Sequence, residues 1–166
     1  MRTQWLGAVT AAAVLSLMLV AAPVTAAVTA AEGCFSNNAT ERSLAAMTNK
    51  SRSAKNLPRL SMDPELSFIA RRHSQSMART ANLVHSNNLG SKITGWTSWG
   101  ENVGYGNSAS QLHPMFMDSP SHRANIMNSS YRNVGIGTVQ KGNFLWVTVI
   151  FQGRVNPGTT LDMPSC

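Results

Sequence analysis

The sequence predicts an α+β fold, with helices first and strands last. Apolar residues recur at helical spacing over 38–56 and again over 63–81. Two runs of β-branched and aromatic residues, 134–139 and 144–151, lie near the carboxyl end, and the turn-forming segment 141–143 separates them. Helices that precede a hairpin in one short chain are typical of α+β folds rather than of alternating α/β folds.

The first residues have the pattern of a secretory signal peptide. Arg2 supplies the positive charge, and 6–20 is an uncharged apolar run followed by small residues. We expect cleavage near Ala26 or Ala27, with Ala30 as the alternative. The run is also about as long as a short transmembrane helix, so an uncleaved membrane anchor is the competing interpretation.

The predicted organisation is a signal peptide at 1–27, a lead-in at 28–37 and one domain at 38–166. The mature chain of about 140 residues can build its own core. Without Arg2 it has 13 basic and 7 acidic residues, a net charge of +6. We therefore expect a secreted monomer that keeps no membrane anchor after cleavage. The scattered charge suits loose attraction to anionic surfaces, or solubility alone, and no aromatic-interleaved basic patch indicates nucleic-acid binding.

The two cysteines are placed at the two ends of the mature chain. Cys34 and Cys166 are expected to form a disulfide in an oxidising compartment. In the chain-entropy model, closing so long a loop stabilises by roughly 4 to 5 kcal/mol. Metal binding by these thiols is not expected, because neither has a histidine or second cysteine nearby in the sequence.

The helices are predicted from their ends as well as from their spacing. The first covers 38–56. The second begins with Asp63 as its cap and Pro64 at its first position. A third helix is predicted over 108–118 and a short fourth over 121–128.

A glycine-rich segment, 82–106, is predicted to be a long loop. Loops of this length inside a compact domain are commonly functional. Trp96, Trp99 and Tyr105 are expected to anchor the loop by being buried, with cleft lining as the alternative.

His85, Glu101 and His122 form the candidate site. Glu101 is the only acidic residue between Leu66 and Met117. Imidazole and carboxylate groups are common ligands of zinc-like metals and common acid/base groups near neutral pH. Three interpretations remain open: a ligand site, a structural clasp in which Glu101 holds its own loop, and unrelated positions.

The residues around this trio resemble those of one known family, the CAP superfamily (also called SCP-like or PR-1-like), in its compact bacterial secreted form. The resemblance covers about 40–151. Its motifs include Pro64-Glu65-Leu66, Leu83-Val84-His85-Ser86, Gly100-Glu101-Asn102-Val103, Ser119-Pro120-Ser121-His122-Arg123 and Val134-Gly135-Ile136-Gly137.

The resemblance implies an α-β-α sandwich with a central antiparallel sheet. It also implies a cleft holding two histidines and two glutamates, in which His85, Glu101 and His122 take three of the four positions. The second glutamate is missing. Asp118 or Ser119 would stand in its place, which weakens the case for tight metal binding.

The predicted function is non-catalytic binding of a lipid, a sterol, a cell-wall component or a zinc-like divalent cation in or near a central His/Glu cleft. One alternative is a secreted hydrolase, peptidase-like or directed at the cell wall, with Glu101 as general base and His122 as its partner. Neither a Gly-x-Ser-x-Gly elbow nor a His-Glu-x-x-His motif is present in the sequence to support it. A second alternative is an extracellular, host-directed factor that acts through its surface. Arg123 is expected to pair with Asp118, with anion binding at the cleft rim as the alternative, and His73 is expected to lie at the surface.

Overall fold

The computed structural model describes residues 35–154, in which four α-helices and four β-strands form three layers. The elements, in chain order, are α1 (Ala39–Ser53), β1 (Ser61–Met62), α2 (Pro64–Thr80), β2 (Ser98–Gly106), α3 (Ala109–Asp118), α4 (Pro120–Met127), β3 (Asn133–Lys141) and β4 (Phe144–Gly153). The predicted signal peptide and both cysteines, Cys34 and Cys166, lie outside the described residues. Within 35–154, no helix is both long enough and apolar enough to cross a membrane.

The strands form one sheet in the order β1-β3-β4-β2. Strands β3 and β4 form the predicted antiparallel hairpin, and β2 adds to the other side of β4, also antiparallel. The short strand β1 pairs in parallel with β3, so the sheet is mixed rather than wholly antiparallel as predicted. Strand β2 stands at one edge, which leaves one of its sides available for the site described below.

Helices cover both faces of the sheet, which confirms the predicted α-β-α sandwich. Side chains alternate along β4, so Val147, Val149 and Phe151 pack with residues of α1, α3 and α4. Trp146 and Ile150 point to the opposite face, where they pack in clusters with residues of α2. The sheet therefore has an apolar core on each side.

The helix starts agree with the predicted caps. The Asn38 side chain accepts from the backbone of Glu41, whose carboxylate in turn accepts from the backbone of Asn38. The Asp63 carboxylate accepts from the Leu66 backbone at 3.0 Å. These bonds satisfy amides that a helix start otherwise leaves without a partner.

The prediction of a loop through 82–106 is wrong for its last third, because Ser98–Gly106 is strand β2. Gly100, Gly104 and Gly106 all face the α3–α4 layer. A Cβ added to Gly104 would lie 2.9 Å from the Phe116 ring, and one at Gly100 2.5 Å from the Asn125 side-chain oxygen. The glycines thus mark a close approach of helices to a strand rather than a turn.

The prediction that burial of aromatic residues anchors this segment is also wrong. Trp96, Trp99 and Tyr105 are each 41–45% exposed. Trp96 is held by its indole N–H, which donates to the Gly90 carbonyl at 2.8 Å. Tyr105 lies on the edge strand and stacks on Trp146 with 4.9 Å between ring centroids. Trp99 and Tyr105 lie on the edge strand β2, and Trp96 lies in the loop that precedes it.

Candidate functional site

His85 and Glu101 are joined directly. Glu101 lies on the face of β2 that looks toward α2, and its side chain is only 3% exposed, whereas that of His85 is 62% exposed. Oε2 of Glu101 accepts from Nδ1 of His85 at 2.7 Å and from the backbone N–H of Ser86 at 2.9 Å. Oε1 accepts from the Ser86 hydroxyl at 2.5 Å. Three donors from one loop therefore converge on a single buried carboxylate, which is the geometry of a clasp.

His122 reaches the same region from the opposite layer. Its ring packs edge to face against Phe116, with centroids 5.1 Å apart. The side-chain amide of Asn102 donates to the His122 carbonyl at 3.0 Å. Asn125 donates to Oδ1 of Asn102 at 2.8 Å and to the Glu101 carbonyl at 3.1 Å, so α4 is fixed to β2. Burial, and next the electrostatic interaction with nearby His85, lower the pKa of His122, which favours a neutral imidazole.

A cleft of about 520 Å³ lies beside the edge strand at His122. Leu83, in the loop after α2, contributes to one wall, and Met115 and Phe116 of α3 contribute to another. Four of its lining residues are large hydrophobic side chains that are 42–51% exposed: Leu83, Tyr105, Met115 and Phe144. The cleft is thus mainly apolar, with an imidazole in its lining.

The two residues expected near the missing glutamate differ in position. Ser119 lines the cleft, and its hydroxyl lies 3.3 Å from that of Ser121. Asp118 is exposed and is not part of the cleft lining. The expected pairing of Asp118 with Arg123 is wrong, because the Arg123 guanidinium donates instead to the Met117 carbonyl at 3.0 Å.

Of His85, Glu101 and His122, only the two imidazoles are candidates for contact with a metal ion. Within 35–154, no group of three or more His, Cys, Asp or Glu residues is placed to hold one. Both oxygens of Glu101 already accept hydrogen bonds from the His85–Ser86 segment. Because Nδ1 of His85 donates to Glu101, its Nε2 is the nitrogen left with a lone pair.

Two contributors to the site were missed by the sequence analysis. Ser86 supplies two of the three donors to Glu101, and its position directly after His85 was the available signal. Met115 lines the cleft as a half-exposed side chain, whereas Leu112 and Phe116 of the same helix line it from the buried face of α3. An apolar residue off the buried face of a helix was the signal there. His73, expected at the surface, is half-buried and its Nε2 lies 2.8 Å from the Val84 carbonyl, next to His85.

Comparison with known proteins places these features in a family. The model of the CAP family, described as the cysteine-rich secretory protein family, matches residues 45–151. The uncharacterized protein YkwD of Bacillus subtilis is 31% identical over 118 residues, which cover 66% of this chain and 46% of that protein. This chain therefore spans a little under half of that relative.

Solved structures show the same fold. An extracellular protein containing a SCP domain from Bacillus anthracis aligns with a TM-score of 0.64 at 24% identity, covering 69% of this chain and 40% of that one. A cysteine-rich secretory protein from Staphylococcus aureus aligns with a TM-score of 0.58 at 26% identity, covering 69% and 39%. Both likenesses agree with the sandwich described above.

Proposed function

This chain belongs to the CAP family, and from that premise we propose that it is an extracellular binding protein whose cleft holds an amphipathic ligand such as a lipid or sterol. The apolar part of the ligand lies against the cleft wall, and its polar end lies near His122. The extracellular location is supported by the predicted signal peptide, by the extracellular protein from Bacillus anthracis and by the secretory protein from Staphylococcus aureus.

The observation that carries this proposal is the group of half-exposed hydrophobic side chains around one cleft. Leu83, Tyr105, Met115 and Phe144 come from four separate parts of the chain and line the same space. Exposed hydrophobic side chains scattered singly are ordinary, but a concave group of them is typical of a binding site. A volume of about 520 Å³ suits a small ligand or part of a long acyl chain.

The polar end of the cleft supports binding rather than hydrolysis. To act as general base, Glu101 would need an oxygen that can reach the attacking water and take up its proton. Glu101 is almost wholly buried, and both its oxygens accept hydrogen bonds from His85 and Ser86. His122, by contrast, lines the cleft and has a pKa lowered by burial, so its neutral ring can bond a hydroxyl or carboxyl group.

The test compares two exposed hydrophobic residues, one inside the cleft and one outside it. We expect the full secreted chain to bind a fluorescent fatty acid saturably, and unlabelled fatty acid or cholesterol to displace it. Met115→Asp should weaken binding about tenfold or more, because the ligand would then cover a carboxylate in place of an apolar side chain. Val84→Asp is the matched control, since Val84 is 45% exposed and is not part of the cleft lining. Equal weakening in both variants, or no saturable binding of either lipid, would rule out the proposal.

A second candidate ligand is a divalent cation, and the tautomer of His85 favours it. Metal-binding imidazoles commonly donate their other N–H to a carboxylate, as His85 does to Glu101. Nε2 of His85 and the neutral ring of His122 would be the ligands, with water completing the shell. Glu101 would orient His85 without touching the metal.

Zinc titration by calorimetry tests this second candidate. We expect His85→Ala and His122→Ala each to abolish saturable binding. Glu101→Gln should weaken binding about 10–100-fold, as is usual when an orienting partner is lost. Unchanged zinc affinity in both histidine variants would remove the candidate without affecting the lipid proposal.

A further inference from the structure

A second cavity, of about 500 Å³, lies at the outer surface of α2, apart from the cleft at β2. Its lining includes three basic side chains, Arg72, His73 and Lys92, and the hydroxyl residues Ser76 and Ser86. No carboxylate is among the residues that line it. We propose that this cavity binds a phosphate ester.

The first support is that Arg72 and Lys92, its two permanent cations, have no ion-pair partner within the described residues. Arg71, next to Arg72, shows the contrast, because its guanidinium holds both oxygens of the buried Glu41. One arginine of the adjacent pair therefore stabilises the fold, and the other has no carboxylate partner among residues 35–154. Arginine matches phosphate oxygens in a bidentate manner, and lysine supplies a point charge.

The second support is the way the cavity walls are fixed. Nε2 of His73 lies 2.8 Å from the Val84 carbonyl, and because a carbonyl can only accept, this nitrogen carries the proton. The bond holds the ring at the cavity wall. The guanidinium of Arg72 lies 5.7 Å from the centre of the Phe68 ring, which limits its freedom.

The apolar wall indicates an ester rather than bare phosphate. Phe68 and Ile69 also line the cavity. Their side chains would contact the organic group of an ester while the basic residues meet its phosphoryl oxygens. A cavity of this volume also exceeds what inorganic phosphate alone would fill.

The cavity shares one residue with the His/Glu site. Ser86 lines the cavity and also donates its backbone N–H and its hydroxyl to Glu101. A ligand in the cavity would therefore alter the surroundings of the Ser86 amide, which provides a local signal of binding.

The experiment titrates the full secreted chain with sn-glycerol 3-phosphate and with inorganic phosphate, followed by amide and histidine ring NMR signals. Two double variants have equal net charge. Arg72→Gln/Lys92→Gln removes both cavity cations, and Arg59→Gln/Arg79→Gln removes two exposed cations elsewhere. We expect saturable shifts at Ser86, Lys92 and the His73 ring, with tighter binding of sn-glycerol 3-phosphate than of phosphate. The cavity variant should bind at least about tenfold more weakly, and the control within about twofold of the parent.

Vesicles with and without phosphatidylglycerol form a second arm that identifies the source of the ester. Binding to phosphatidylglycerol vesicles that is lost only in the cavity variant would assign a lipid headgroup, and binding of the soluble ester alone would assign a soluble ligand. Equal weakening in the two double variants would overturn the proposal, because net charge alone would then explain binding. Absence of saturable shifts at the named residues with every probe would overturn it as well.

Discussion

Nδ1 of His85 lies 2.7 Å from Oε2 of Glu101, so an exposed imidazole and a buried carboxylate are held as one unit. Glu101 belongs to the regular strand β2, whereas His85 belongs to the irregular segment after α2. The pair therefore fixes a loop to the sheet. Because Leu83 of the same loop lines the cleft, the clasp also sets one wall of the proposed binding site.

Loss of the Glu101 charge should loosen this loop. Glu101→Gln leaves one acceptor oxygen for three donors and brings an NH₂ group against them, so we expect a loss of about 2 kcal/mol in the free energy of unfolding. Urea denaturation measures that loss, and hydrogen exchange of the Ser86 amide should become faster. Asp118→Asn removes a charge from an exposed side chain and is the control, expected to change stability by less than about 0.5 kcal/mol. Matching stabilities for parent and Glu101→Gln would contradict the clasp.

Arg52 should be among the most sensitive positions of the fold. It is fully buried in α1, and its guanidinium donates to the carbonyls of Pro58, Ile126 and Asn128 at 2.8 Å each. Removing it takes away one buried hydrogen bond, to the Ile126 carbonyl, and two half-buried ones, and empties a fully buried site, so Arg52→Ala should cost about 3 kcal/mol of unfolding free energy. Arg52→Lys should recover only part of this loss, because an ammonium cannot reproduce the planar fork.

The control for Arg52 is Lys50→Ala, an exposed position of the same helix. Its effect should stay within about 0.5 kcal/mol. Chemical denaturation of the three variants measures the differences. An Arg52→Lys variant as stable as the parent would show that charge alone is needed, contrary to the geometry.

The regular parts of the fold could be predicted because their signals are local. The Asp63 cap with Pro64 marked the start of α2, and the segment around Gly142 marked the hairpin turn. Strand β2 was missed because Gly100 and Gly104 resemble loop residues in sequence. Glycine stands at these positions because β2 packs closely against residues that come later in the chain. Only the tertiary structure reveals that packing.

The candidate site, like the fold, could be predicted from the sequence only in part. Motif resemblance brought His85, Glu101 and His122 together, and the structure joins the first two and sets the third in the cleft. Of the apolar wall only Tyr105 was considered, as the alternative to burial. Its other members come from separate elements, and each alone resembles an ordinary exposed hydrophobic residue. Neither Met115 nor Phe144 carries a local signal of the space they share.

Replacing a glycine by alanine should lower the free energy of unfolding by different amounts in β3 and in the hairpin turn. A Cβ at Gly137 would lie 1.9 Å from the Arg71 backbone nitrogen, so α2 would have to move, at a cost of about 3 kcal/mol. At Gly142 a Cβ meets nothing within 4 Å, but φ is +58°. Gly142→Ala should therefore cost only about 1 kcal/mol, from backbone conformation. Urea denaturation compares the two, and equal losses would contradict this distinction between packing and conformation.

Stability should fall as the solution becomes acidic, and His113 should be one cause. This histidine is buried in α3, where its Nε2 bonds the Ser51 hydroxyl at 2.9 Å and its Nδ1 has no partner in the described part of the chain. Burial lowers the pKa of His113, because the charged ring would lose water without gaining a counter-charge.

The direction of this pH effect follows from the number of protons that the folded and unfolded chains bind. Below the unfolded pKa of about 6.5, the unfolded chain takes up a proton that folded His113 resists, so unfolding becomes easier. The stability that neutral His113 contributes is fully present above that pH and is lost as pH falls toward the folded pKa. The free energy of unfolding then falls by at most about 1.4 kcal/mol per pH unit. His122, whose pKa is also lowered, should add to the loss with the same sign.

Urea denaturation from neutral to mildly acidic pH should give a shallower slope for His113→Gln than for the parent, since glutamine does not titrate. The His122→Gln variant should retain the part of the pH dependence that is due to His113. Identical slopes for parent and His113→Gln would show that His113 is not the group responsible.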